Sequence, residues 1–184
     1  APNKWGTMAS GSLPAVYPYL GVDALLAEIR DYWVKGVVGP NPGFDYDADV
    51  SWHSSSSDLR IINPKGATKQ GVNIDGIIPD DMRRGGSFTT GTPVATGYPW
   101  EHLQGVLMGA RILERAGMPI WDVGDQAIYR AAYALEERIG GSFVCEGDDL
   151  WQLALLDAAY GTSWAQGKNV WGAGKNAGFA YVLP

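Results

Sequence analysis

The chain has 184 residues, enough for one domain with an interior of its own, and 46% hydrophobic against 18% charged residues excludes a disordered polymer. Its formal charge of −6, with 14 Lys and Arg scattered along the chain, excludes a nucleic-acid footprint, so a polyanionic ligand would need a local basic cluster. With 25 glycines and 11 prolines much of the chain must be loop; 8 Trp and 9 Tyr exceed what a small core needs, and flat rings suit the apolar faces of sugars, although most serve as core filler.

Helical periodicity opens the chain. A helix is predicted over Trp5 to Leu20, troubled by Pro14 and Pro18, whose rings remove backbone donors, and a second over Val22 to Lys35 with Leu25, Leu26, Ile29 and Trp33 on one side. Between Gly36 and Gly97 lies a long segment rich in Gly, Pro, Asn, Asp and Ser, read as a functional loop with short strands at Leu59 to Ile62 and Ile74 to Ile78. The strongest helix follows over Glu101 to Gly117, where Leu103, Val106, Leu107, Ala110 and Leu113 form a core-facing stripe that Gly117 and Pro119 end. Asp125 to Ile139 repeats the pattern through Ile128, Ala131, Ala132 and Leu135, and Asp148 to Tyr160 through Trp151, Ala154, Leu155 and Ala158. A Gly-rich, aromatic tail runs from Gly167 to Pro184. The expected fold is mainly α, helix against helix across short turns. No apolar run reaches the length of a membrane span, no signal-peptide pattern is present and Ala1-Pro2 stands where an initiator Met would, which predicts a soluble, processed chain.

Few residue types are available for chemistry. One Cys, Cys145, permits no internal disulfide, and two His, His53 and His102, make an imidazole-built metal site improbable; no metal or cofactor is expected. The alternating Asp45, Asp47 and Asp49 lack the Gly and Glu of a calcium loop, and motifs for a serine hydrolase, a phosphate loop or a zinc protease are missing. Arg83 and Arg84, adjacent among glycines, either grip a carboxylate or pair with Asp80 and Asp81 to pin their loop. Tyr98 precedes the strongest helix, with His102 one turn further along, and a phenol near Arg can donate or accept a proton. His53, beside Trp52 in the long loop, suits a ligand-facing base. Glu146, Asp148 and Asp149 precede a helix, where acids favour the positive end of the dipole.

Seven blocks in order carry a resemblance: Asn3-x-Trp5-Gly6-Thr7; Ile62-Asn63-Pro64; Asp75-Gly76-x-x-Pro79-Asp80-Asp81-x-Arg83-Arg84-Gly85-Gly86; Gly97-Tyr98-x-Trp100-Glu101-x-x-Gln104-Gly105; Glu146-Gly147-Asp148-Asp149-x-Trp151-Gln152; Tyr160-Gly161-Thr162; Gly174-Lys175-Asn176. Together they resemble the alginate lyase-like family of polysaccharide lyases. The resemblance implies an (α/α) toroid of paired antiparallel helices and β-elimination of a uronic-acid polysaccharide such as alginate or glucuronan. It implies a catalytic set of Tyr98, Arg83 or Arg84, a His (His53 or His102) and Asn3, which neutralises the substrate carboxylate. Trp5, Trp52 and Trp100 become sugar platforms, and Lys4, Lys175 and Asn176 further substrate contacts. Lys4 stands where the family places a His after the Asn, so His53, His102 or the charge of Lys4 substitutes, or the chain belongs to a divergent subgroup with another substrate. The blocks resemble the second half of the family's domain, and some five helices do not close a toroid. Residues 1–184 are therefore read as one domain or as the C-terminal part of a longer one, completed by an N-terminal portion or a second chain.

Elimination removes the proton on C5 beside a carboxylate, so neutralising that carboxylate stabilises the enolate-like transition state. The implied partner is an acidic polysaccharide, with no nucleic acid and no membrane, in a secreted, extracellular or periplasmic setting. Two rivals stand beside this reading: a helical glycoside hydrolase using two of Asp80, Asp81, Glu146 and Asp148, and a non-catalytic carbohydrate-binding fragment.

Overall fold

A computed structural model of the chain describes residues 3–20, 25–39 and 49–171. The described chain is mainly helical, with α1 (Lys4–Leu20), α2 (Leu26–Val38), a single turn α3 (Pro79–Met82), α4 (Tyr98–Arg115), α5 (Val123–Tyr133) and α6 (Trp151–Tyr160). α1 runs through Pro14 and Pro18 without a break. α4 begins three residues before the predicted boundary because Pro99 fits its first turn, where no backbone N–H is needed. Its predicted stripe of Leu103, Val106, Leu107, Ala110 and Leu113 is fully buried. Gly117, at φ 81°, closes it by donating to the Glu114 carbonyl at 2.8 Å. α5 opens with three left-handed residues, Gly124, Asp125 and Gln126, and passes into a π-helical turn over Ala134–Ile139. One continuous core joins Trp33 and Val37 of α2 to the inner faces of α4, α5 and α6.

α1 and α4 lie side by side and run in the same direction: Thr7 meets His102 and Gly105, and Gly11 meets Gly105 and Gly109. Glycine makes this possible. A Cβ on Gly105 would stand 2.4 Å from the backbone of Thr7 and Met8, and one on Gly11 only 2.2 Å from the Gly105 carbonyl oxygen. Gly105→Ala is therefore expected to force the helices apart and cost about 2–3 kcal/mol, read as a lower denaturation midpoint.

Strands were expected at Leu59 to Ile62 and Ile74 to Ile78, and neither forms. The β-branched residues there do fill the core: Ile61, Ile62, Ile74, Ile77 and Ile78 are buried, but from irregular backbone. Asn63, fully buried, takes the place of a ladder. Its N–H donates to the Ile77 carbonyl at 2.9 Å, its amide donates to the Trp52 carbonyl at 2.9 Å, and its side-chain oxygen accepts from Ser54 N–H at 3.1 Å. Arg130 of α5 locks the same knot, donating to the Asn63 carbonyl at 3.1 Å and pairing with the Asp75 carboxylate. The two strands that do form, β1 (Thr68–Lys69) and β2 (Val72–Asn73), pair antiparallel with Thr68 opposite Asn73. Gln70 and Gly71, at φ 48° and 79°, supply the two positive-φ positions of a tight hairpin turn. No helix of the described residues is long and apolar enough to cross a membrane.

Candidate functional site

The parallel packing of α1 and α4 sets two helix N-termini side by side. Asn3 caps the first: its side-chain oxygen accepts from the N–H of Trp5 at 3.1 Å and of Gly6 at 3.4 Å. That use of the oxygen leaves only the amide nitrogen of Asn3 to meet a ligand. Thr7 Oγ1 donates to the His102 carbonyl at 3.0 Å and so fixes the register of the first turns. Lys4 consequently reaches across α4, forming an ion pair with Glu101 and placing Nζ 4.0 Å from the centre of the Tyr98 ring. Arg84, delivered by α3 and the 3₁₀ turn Arg83–Gly85, sets its guanidinium 5.2 Å from the same ring. Trp5, 70% exposed, lies next to the cluster with its ring 5.8 Å from the Lys4 ammonium.

A tyrosine ring with two cations against it, one of them paired with Glu101, at two helix N-termini, is a local concentration of positive groups in an acidic protein. Glu101 is the carboxylate that holds Lys4 in place, and its weak mark in the sequence is the three-residue spacing from Tyr98 that puts both on one face of α4. Thr7 was equally invisible, since its role depends on a helix 95 positions further on.

The two arginines divide. Arg83 Nε donates to Asp80 Oδ1 at 2.6 Å, the loop-pinning arrangement, and Arg84 faces Tyr98. Burial raises the Asp80 carboxyl above the usual carboxylate range, with the Arg83 hydrogen bond opposing it. Asp81 is tied to the other predicted histidine: His102 Nδ1 and Asp81 Oδ2 are 2.6 Å apart and both side chains are fully buried. His102 therefore lies inside the protein as a support between α3 and α4, not on the surface of the site.

Three further expectations are corrected by burial. Trp52, 4% exposed, spends its indole N–H on the Gly86 carbonyl at 2.8 Å and packs edge-on against Phe88. Trp100, 3% exposed, donates to the Phe143 carbonyl at 2.8 Å. Neither offers a face to a sugar, so Trp5 is the exposed ring of the three. His53 is 1% exposed, because the segment expected to be flexible is knotted around Asn63 and Lys69, whose ammonium donates to the His53 carbonyl at 3.0 Å. Lys175 and Asn176 lie outside the described residues.

Burial, with Lys69 and Arg83 adding positive charge and Asp49 partly offsetting it, pushes the His53 imidazole down to about 4. The folded chain then keeps His53 neutral while the unfolded chain protonates near pH 6.5, so the unfolded state binds more protons between the two values. Stability is expected to fall by up to about 3 kcal/mol as pH drops from 6.5 to about 4, and to level off below. Denaturation midpoints of the chain and of His53→Gln across that range check this: the variant should lack this part of the slope.

Among the described residues no group of three or more His, Cys, Asp or Glu side chains is placed to hold a metal ion. Cys145 is buried and its thiol raised well above the ordinary range, chiefly by burial. No family model matches the chain, and neither a curated protein nor a solved structure is found to be similar to it.

Proposed function

We propose that the chain is a polysaccharide lyase that cleaves a uronic-acid polysaccharide, of alginate or glucuronan type, by β-elimination. The observation that carries this reading is Tyr98 flanked by Lys4 and Arg84, with the exposed Trp5 alongside. The two cations hold and neutralise the C6 carboxylate of the uronate, with the amide of Asn3 beside them. Negative charge that builds on that carboxylate as C5 loses its proton is then met by groups already in place. The Tyr98 oxygen takes the C5 proton, the C4–O bond breaks as the C4–C5 double bond forms, and Tyr98 returns the proton to the leaving oxygen. Charge on Lys4 takes the part that a neighbouring His plays in the family the sequence resembles.

The parallel run of α1 and α4 supports the toroid as well, since helices of one layer in a ring of helical hairpins all point the same way. On this reading the chain is the C-terminal part of that ring, in a secreted or periplasmic protein, and an N-terminal portion or a second chain completes the cleft. The hydrolase rival loses two of its four carboxylates: Asp80 and Asp81 are buried and engaged by Arg83 and His102.

A panel of uronic-acid polymers tests the proposal. Products absorbing in the ultraviolet as unsaturated uronates are the expected result. New reducing ends without that absorbance would replace elimination by hydrolysis, and binding without turnover by the complete protein would leave a carbohydrate-binding module.

A further inference from the structure

At the opposite end of α4 from Tyr98, some 18 helical residues or roughly 25 Å away, the chain turns into α5 beside the end of α6. There an open cleft of about 660 Å³ is lined by Trp121, Asp122, Gln126, Tyr129, Tyr160 and Thr162. Three rings wall it at steep mutual angles. The centres of Trp121 and Tyr160 are 5.7 Å apart at 80°, and those of Tyr160 and Tyr129 5.4 Å apart at 54°. Trp121 is fixed at two points, its indole N–H donating to Glu114 Oε1 at 2.6 Å and its backbone carbonyl accepting from the Tyr160 hydroxyl at 2.9 Å. Tyr129 is braced by two further rings, Trp164 stacked nearly parallel at 5.9 Å and Tyr133 at 5.9 Å and 27°. Gln126, in the left-handed region at φ 56°, is held over the cleft with its amide donating to Asp122 Oδ1 at 3.2 Å. A left-handed Gln costs about 1 kcal/mol or more, yet it gains no buried contact here, since the residue is exposed.

We propose that this cleft is a second carbohydrate-binding site, for a neutral saccharide and not for the uronan. The rings offer apolar surface of the kind the C–H faces of a sugar pack on; the second N–H of the Gln126 amide is left to donate, and the Asp122 carboxylate, the Gln126 amide oxygen and the Thr162 hydroxyl oxygen, whose own hydrogen goes to Asp157, are left to accept from sugar hydroxyls. Charge selects against a uronate: among the described lining residues stands one carboxylate, Asp122, and no basic side chain, the reverse of the Lys4 and Arg84 cluster. A quaternary ammonium ion is the other guest of aromatic walls. Fixed rings lose little freedom on binding. The inference does not rest on the lyase reading, since it concerns a different end of the molecule and an uncharged ligand.

Calorimetric titration of the chain with cellohexaose, mannohexaose and xylohexaose tests it, with tetramethylammonium as a counter-probe. At least one neutral hexamer is expected to bind, with its affinity reduced at least about tenfold in Trp121→Ala and in Gln126→Ala. Gln126 is exposed, so its variant keeps the fold even if Trp121→Ala fails a circular-dichroism check. Arg84→Ala should leave this binding unchanged, which separates it from the site at Tyr98. The proposal is overturned if none of the three hexamers binds, if their binding persists undiminished in Gln126→Ala and folded Trp121→Ala, or if tetramethylammonium binds there in preference to all of them.

Discussion

Tyr98→Phe is expected, under the proposed elimination, to lower uronan turnover by about 10²- to 10⁴-fold, the contribution of a positioned acid or base, while stability stays within about 1 kcal/mol. The ring stays, and with it the contacts to Lys4 and Arg84 that organise the cluster. The substitution removes the proposed proton carrier and leaves the ring packing in place. Arg84→Ala and Lys4→Met should behave differently. Each removes one cation from the proposed carboxylate-binding pair, so both KM and kcat are expected to worsen, and Lys4→Met also breaks the Lys4–Glu101 ion pair. Lys4→Arg, which keeps the charge, should recover more activity than Lys4→Met. Initial rates at saturating and limiting uronan, followed by ultraviolet absorbance, give both quantities. Full turnover by Tyr98→Phe would remove Tyr98 from the mechanism.

These outcomes depend on features of unequal visibility in the sequence. α4 was legible from its stripe and its end signal, because Gly117 and the spacing of Leu103, Leu107 and Ala110 act within a few residues of one another, while its start was placed three residues late, at Glu101 instead of Tyr98. Tyr98 and His102 could be set on one face of it for the same reason. Lys4 could not be given its place: it meets Tyr98 and Glu101 only because Gly11, Gly105 and Gly109 let α1 approach α4 at backbone contact, across nearly a hundred positions. The strands misread at Ile61, Ile62, Ile74, Ile77 and Ile78 show the same limit from the other side. A β-branched residue buried from an irregular segment looks, in sequence, like one buried from a strand, and what separates them here is Asn63 with Arg130, 67 positions apart. Trp5, Trp52 and Trp100 were indistinguishable as candidate platforms. A single indole N–H finding the Gly86 or Phe143 carbonyl decided which two went inside.

His102 and Asp81 carry the other large expected effect, and it is on folding. His102→Ala leaves the Asp81 carboxylate fully buried without its 2.6 Å partner, and breaking a buried pair from one side costs about 3–5 kcal/mol, a large fraction of the stability of an ordinary domain. Asp81→Asn should cost less, because a neutral amide in the same volume is cheaper to bury than an unpaired carboxylate. The double variant Asp81→Ala with His102→Ala is expected to lose less than the sum of the two single changes, by about 1–3 kcal/mol, since the first change has already removed what the second would orphan. Denaturation midpoints of His102→Ala, Asp81→Ala and the double variant give that coupling directly. The bond that sets α1 on α4 runs from Thr7 Oγ1 to the backbone carbonyl of His102, which alanine keeps. Lys4 should therefore still reach Tyr98 in whatever fraction of His102→Ala remains folded, and at low temperature that fraction should eliminate uronate at close to the parent rate per folded molecule. A variant that keeps its fold but loses turnover would instead give His102 a direct part in the chemistry, in conflict with its full burial behind the site.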